Sequence, residues 1–369
     1  ARLAAGTAGD LLTAVVLASR ASVLLAPAMN VNMWQNPLTQ QNLGRLLGLT
    51  RFRTVGPDAG ELACGWIGEG RLIEPAEIVA AASSLLAPQD LAGQSIVVTA
   101  GPTFEPIDDV RFLGNRSSGK MGFALARAAA RRGAAVTLIA GPVALATPPG
   151  GGIDRRDVET AAQLGAALNA VASTADVVVM AAAVADFRAA APAAGKLSRR
   201  ASPDGAASSS SSWSSSLSLS ANPDLLAELG LRRAGKRPLL VGFAAEIGAE
   251  PGSLAKRAAD KLAEKKCDVM IANDVGAPGT GFGSDENAVT LVFSDGTTES
   301  LPRAAKAQIA EAIWDRLVAR IPRAGNNSPA GDDAHPVEQV DPARDRGRGT
   351  GDVRNLAALP ASAVRGRRG

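Results

Sequence analysis

The feature that most constrains this chain is a series of short, uninterrupted apolar runs separated by helix-length segments. SIVVTAG from Ser95, AAVTLIAGP (134–142) and ADVVVMAAAV (175–184) are apolar on both faces, which suits parallel strands covered by helices on either side. The intervening patterns predict helices over 118–132, 158–172, 223–234 and 252–266, strands over 238–243, 267–272 and 288–294, and a final helix over 302–319. That alternation predicts a doubly wound α/β domain, with a ligand held beyond the C-terminal strand ends where the strand order reverses. Upstream, the same reasoning predicts helices over 10–20, 37–48 and 75–86, the last opened by Pro75, and strands over 22–26 and 52–56. A polar break, PQDLAG (88–93), separates the two stretches.

Composition removes several classes of function. The single His of the 369 residues is His335, so a Ser-His-Asp triad or a His-rich metal site within this chain is excluded. Aromatic residues amount to 3% with no Tyr, too few for the stacking platforms of single-strand nucleic-acid binding. The net charge is only +3, and eight Arg against six acids beyond Pro322 account for +2 of it. The body therefore carries no basic bias toward nucleic acid. Cys64 and Cys267 are far apart with no CxxC, and no signal peptide or long apolar span is present, so a reducing, cytoplasmic setting is expected. Two stretches are low in complexity: residues 208–220, where ten of thirteen are Ser, and the Gly-, Pro-, Arg- and Asp-rich tail from Pro322, expected to be disordered.

The chemistry-bearing motifs sit at the predicted strand ends. In GPTFEPIDDVRFLGNRSSGKMG, Gly114 and Gly119-Lys120 imitate a P-loop, but Met121 stands where Ser or Thr would hold magnesium, and the glycines come well after the strand. The remaining readings are an anion site made by the N–H groups of Ser117, Ser118 and Gly119 beside Lys120, or an ordinary Ser-capped helix. MAAAVADF (180–187) ends a strand in small residues that admit a flat ligand and places Asp186 just beyond, as a ligand contact or a turn cap. Lys261 and Lys265 share one helix face; an anion between them or plain solvation would accommodate both charges. Lys196 follows the Asp186 loop. In the upstream stretch, APAMNVNMW places Asn30 and Asn32 directly after a strand, and Cys64 lies in the glycine-punctuated ELACGWIGEGR, either a small buried residue or a thiol on a flap.

Taken together and in order, PAMNVNMW, ELACGWIGEGR, TAGPTFEPIDDVRFLGNRSSGKMG, AAAVADF, NPDLLAELG, VGFAAE, IANDV and FGSDENA resemble the bifunctional coenzyme A biosynthesis family, from Ala1 to about Arg320. That family joins phosphopantothenoylcysteine decarboxylase to phosphopantothenate–cysteine ligase. The resemblance implies the C-terminal part of a flavodoxin-like decarboxylase unit (1–88), followed by a Rossmann-like doubly wound ligase domain (93–321) with a Ser-rich loop (201–220) and a disordered tail (322–369). It implies CTP with Mg2+, 4'-phosphopantothenate and cysteine as partners, FMN in the decarboxylase half, a ligase dimer, and neither nucleic acid nor membrane. By resemblance, Met180, Ala181, Ala182 and Asp186 match the cytidine-site strand end, and Lys196 a catalytic, CTP-contacting lysine. Pro223, Asp224, Leu225, Leu226, Phe243, Lys261 and Lys265 match further CTP contacts. Asn115 matches an asparagine needed for the acyl-cytidylate, Asn30 a substrate-binding asparagine, and Cys64 the thiol that protonates the decarboxylation intermediate. No residue stands out as a magnesium ligand.

In two places the chain departs from the family pattern. The family's flavin site and active-site His lie upstream of PAMN, whereas this chain opens at Ala1 in what reads as the middle of a domain. N-terminal truncation is expected, and with it loss of decarboxylation in the chain as given. Where relatives carry a basic linker, KLSRRASPDG and the Ser run precede NPDLL; the extra loop length costs about 0.6 kcal/mol per doubling and is tolerable. The alternative from another class is a non-catalytic regulatory or scaffold relative of the decarboxylases.

Overall fold

The computed structural model describes residues 1–63, 65–197, 216–233, 235–247, 253–276, 281 and 283–322. Most of the Ser-rich stretch, Cys64 and the tail beyond Pro322 lie outside them.

The eight strands of the principal sheet are β1 (Ser95–Ala100), β2 (Ala135–Ala140), β3 (Ile153–Asp157), β4 (Val177–Met180), β5 (Leu239–Glu246), β6 (Val269–Asp274), β7 (Glu286–Phe293) and β8 (Thr298–Ala305). Their spatial order is β8-β7-β6-β5-β4-β1-β2-β3. All neighbours from β3 through to β6 run parallel, while β7 and β8 pair antiparallel. This is the doubly wound order, with the reversal between β1 and β4.

Helices α1 (Lys120–Arg131) and α5 (Lys306–Leu317) cover one face, and α2 (Ala161–Asn169), α3 (Leu225–Arg232) and α4 (Ser253–Lys265) cover the other. The first layer closes on Trp314, fully buried, whose indole N–H donates to the Leu125 carbonyl at 3.0 Å. The second closes on Leu164, Leu168, Leu225, Leu229 and Cys267. Because strands such as β4 are buried at every position, only apolar residues are tolerated there, and the apolar runs follow from that.

The upstream stretch holds a two-stranded parallel sheet, Val23–Leu25 with Phe52–Thr54, together with helices Leu11–Ala18, Pro37–Leu47 and Pro75–Leu86. The glycine-punctuated loop is a hairpin, Asp58–Glu61 against Ile67–Arg71. No described helix is long and apolar enough to cross a membrane.

The segment predicted as the start of the final helix, 302–305, is instead the end of β8, and α5 begins at Lys306. Pro302 fits there because β8 is the sheet's outer strand, where a missing N–H need not break a ladder.

Candidate active site

A cavity of about 570 Å³ opens beyond the C-terminal ends of the central strands, within the range of small-molecule sites. Its floor is the loop that leaves β4. Met180, Ala181 and Ala182 line it, and the chain is held in place by two fully buried threonines. The Ala182 N–H donates to Thr99 Oγ1 at 3.1 Å and the Ala185 N–H to Thr103 Oγ1 at 2.9 Å. With hydroxyls satisfying these amides, the loop can be built from small side chains and present a flat apolar surface.

Asn115 stands at one wall, its amide donating to the carbonyls of Ala183 (3.2 Å) and Val184 (3.0 Å). Asp186, Pro223, Asp224, Leu225 and Leu226 continue the lining around the start of α3, and Phe243 enters from β5. Asp224 also caps α3, accepting from the Ala227 N–H at 3.0 Å.

Ser117, Ser118, Gly119 and Lys120 line the opposite wall. Gly119 is the N-cap of α1 with φ 76°, and no side chain caps the helix. The ordinary Ser-capped helix is therefore not what forms: Ser117 Oγ instead accepts from the Gly119 N–H at 3.3 Å. An uncapped helix start aimed at a cavity is suited to an anion.

Four ammonium groups line the same cavity, and each already has a partner. Lys261 meets Glu246 at 2.7 Å and Lys265 bonds Asp224 and Glu264. Burial works against the charge on Lys265, but the carboxylate hydrogen bonds outweigh it and hold the group above the usual lysine range. Lys120 bridges the Gly283 carbonyl (2.9 Å) and Asp285 (2.6 Å), and Lys306 donates to the Ser284 carbonyl. Burial, with Lys120 close by, pulls Lys306 below the ordinary lysine range, and Asp285 opposes the shift.

Of the residues singled out from sequence, Asn115, Met180, Ala181, Ala182, Asp186, Pro223 to Leu226, Phe243, Lys261 and Lys265 converge on this one cavity. Lys196 does not line it: it is exposed on a segment packed along the hairpin formed by Phe104–Pro106 and Phe112–Gly114. Asn30 is in the upstream stretch, where it caps the short helix Val31–Gln35 by accepting from the Asn32 N–H at 2.8 Å. Cys64 lies outside the described residues. Asn222, Asn273, Asn287 and Lys306 also line the cavity and were not singled out. The three asparagines lie inside the motifs NPDLL, IANDV and FGSDENA, which was the available signal; Lys306 has no motif around it.

No group of three His, Cys, Asp or Glu residues suited to a metal ion occurs among the described residues. Residues 1–87 hold a second cavity, of about 580 Å³, whose lining includes Arg51. The guanidinium there is engaged by the carbonyls of Val16 and Ser19, an acceptor-rich surrounding unsuited to a phosphate. That guanidinium therefore offers no ready phosphate contact for a flavin in this cavity.

Fold and site together define a doubly wound α/β protein with a ligand cavity at its switch point, the class in which nucleotides and phosphorylated ligands bind. Residues 91–321 match the family model described as the DNA/pantothenate metabolism flavoprotein C-terminal domain, and residues 1–87 match the model described as Flavoprotein. The chain belongs to the family of coenzyme A biosynthesis bifunctional CoaBC proteins. It is 42% identical to the member from Vibrio cholerae over 313 residues, covering 85% of this chain and 74% of that one. It is 44% identical to the member from Mycobacterium bovis over 327 residues, covering 86% and 75%. The solved DNA/pantothenate metabolism flavoprotein from Streptococcus pneumoniae shares the fold, with a TM-score of 0.50 and 21% identity over 62% of this chain and 100% of that one.

Proposed function

We propose that residues 93–321 ligate 4'-phosphopantothenate to cysteine at the expense of CTP, forming phosphopantothenoylcysteine for coenzyme A synthesis, and that residues 1–88 derive from the decarboxylase that acts next. The observation that carries this reading is the convergence, in one cavity at the sheet's switch point, of a flat small-residue floor, an uncapped helix start and four lysines. Such a cavity suits a base, a phosphate chain and a second anionic substrate together.

In the first step a carboxylate oxygen of phosphopantothenate attacks the α-phosphorus of CTP, and the bond to the β-phosphate oxygen breaks with release of pyrophosphate. In the second the cysteine amine attacks the acyl carbon, the bond to CMP breaks, and the amine loses its proton. The cytidine lies against Met180 to Ala182, with Asp186 and Phe243 beside it, and the triphosphate runs toward Lys261 and Lys265. The phosphate of phosphopantothenate sits at the Ser117–Lys120 helix start. Asn115, its amide fixed by two carbonyls, is the asparagine needed for forming the acyl-cytidylate, and Lys196 supplies positive charge to the transition state. Mg2+ enters with the triphosphate, since the described residues offer no acidic cluster for a resident ion. A ligase dimer and a cytoplasmic location complete the proposal. Flavin is the family's group for decarboxylation, to which Asn30 and Cys64 would contribute.

The direct test is to incubate the protein with CTP, Mg2+, 4'-phosphopantothenate and cysteine and to follow CMP and pyrophosphate. CMP release that requires both substrates supports the ligase. If nothing is released, the non-catalytic alternative stands. Lys261→Ala and Lys265→Ala should each raise the KM for CTP about three- to tenfold, or roughly 0.7–1.4 kcal/mol, because each contact to CTP replaces an existing carboxylate pair. Unchanged CTP binding by calorimetry in both would confine these lysines to their ion pairs with Glu246 and Asp224.

A further inference from the structure

Asp108 is a wholly buried carboxylate in a turn that touches none of the cavity, and its hydrogen bonds lead to Lys196. Within the turn, Asp108 Oδ1 accepts from the N–H groups of Val110 (2.8 Å) and Arg111 (2.7 Å). Asp108 Oδ2 accepts from Arg111 Nη1 at 3.0 Å and, from a segment 89 residues further on, from the Leu197 N–H at 3.1 Å. The adjacent Asp109 accepts the Gly195 N–H at 3.0 Å. The Ala193 N–H donates to the Ile107 carbonyl at 2.9 Å, and Arg111 donates to the Leu197 carbonyl at 3.3 Å.

The amides on either side of Lys196 are thus both held by carboxylates of one turn, while its own side chain is exposed and has no partner among the described residues. A buried carboxylate is costly unless its lone pairs are filled, so the turn has a strong preference for keeping the Leu197 amide. Burial opposes the Asp108 charge, yet the N–H groups of Val110, Leu197 and Arg111 and the guanidinium outweigh it and keep the group below the usual carboxylate range.

We infer that Asp108, assisted by Asp109, is a positioning residue for the ligation step: it fixes the backbone pivot from which the Lys196 ammonium is delivered to the reacting phosphate and acyl groups. This rests on the proposed role of Lys196. The backbone pivot is set before substrate arrives, so the ordering cost of a free loop is not charged to the transition state.

The test uses Asp108→Asn, which keeps a turn acceptor but turns an amide N–H2 toward Leu197 and Arg111, and Asp109→Ala, an exposed change that frees only the Gly195 amide. The expected result is a fall in kcat for amide formation of about tenfold or more in Asp108→Asn and a smaller fall in Asp109→Ala. The KM for CTP should stay within about twofold and Asp109→Ala should keep its melting temperature, a split that general destabilisation would not produce. Wild-type kcat in both variants, with Lys196→Gln inactive, overturns the inference and leaves the role of Lys196 standing. A loss confined to Asp108→Asn and matched by a lower melting temperature is a fold effect and overturns it too. A wild-type rate in Lys196→Gln overturns both.

Discussion

Lys196→Gln is expected to lower cysteine-dependent amide formation by about a hundredfold or more, the scale on which a single transition-state charge partner acts. Lys120, Lys261, Lys265 and Lys306 line the cavity and each is engaged by a carboxylate or carbonyl of the protein. Lys196 has no such partner among the described residues and stands exposed between two anchored amides. No described carboxylate or carbonyl offsets its charge. Glutamine keeps most of the reach and a hydrogen-bond donor but removes that charge, and at an exposed site it leaves stability within about 0.5 kcal/mol. Pyrophosphate release measured without cysteine separates the two half-reactions: a burst followed by arrest means that the acyl-cytidylate accumulates, and no burst means that it never forms. Turnover at the wild-type rate would remove Lys196 from the mechanism.

The second large effect is on the fold, through Gly122→Val. Gly122 is buried in the first turn of α1, where an added Cβ would lie 2.5 Å from Ala100 Cβ and 3.0 Å from the Thr99 carbonyl oxygen. Both belong to β1, a strand hydrogen-bonded on both sides, so the helix must move rather than the strand. Overpacking of this kind costs roughly 2–3 kcal/mol. The displaced segment carries Ser117 to Lys120, so the KM for 4'-phosphopantothenate should rise in the same variant. A denaturant midpoint and KM both equal to the wild type would show that the contact between α1 and β1 yields easily and that the helix start does not hold the substrate.

The central parallel strands and the end of the sheet that holds the cavity were legible because parallel strands buried on both faces leave uninterrupted apolar runs. Elements without that burial were not. β3 has the sequence IDRRD with no buried residue, and β8 buries only Leu301 among eight; neither could be told from loop or helix by its pattern. The hairpin Phe104–Pro106 with Phe112–Gly114 was hidden inside a loop motif for the same reason, although its rings stack at 3.7 Å. The Lys261 and Lys265 spacing pointed to one face of a helix. Their carboxylate partners come from β5 and the cap of α3, 15 and 41 residues away in sequence, and no local pattern foretells such a pairing. The displacement of Lys196 from the cavity is likewise set by a turn nearly 90 residues upstream.

The pairing of the cavity's lysines with Glu246, Asp224 and Asp285 bears on selectivity between polyanions. An incoming phosphate chain must displace a carboxylate for each of Lys120, Lys261 and Lys265 that it captures, so the net attraction there is a difference between two ion pairs rather than the full charge of the cation. A short anion that reaches one lysine gains little by the exchange, whereas a nucleoside triphosphate that engages several, and adds a stacked base, gains repeatedly. Pyrophosphate, once cut from its nucleoside, falls back toward the first class. In the proposed ligation the internal carboxylates would act as returning competitors that help expel the product and reset the cavity for the next turnover.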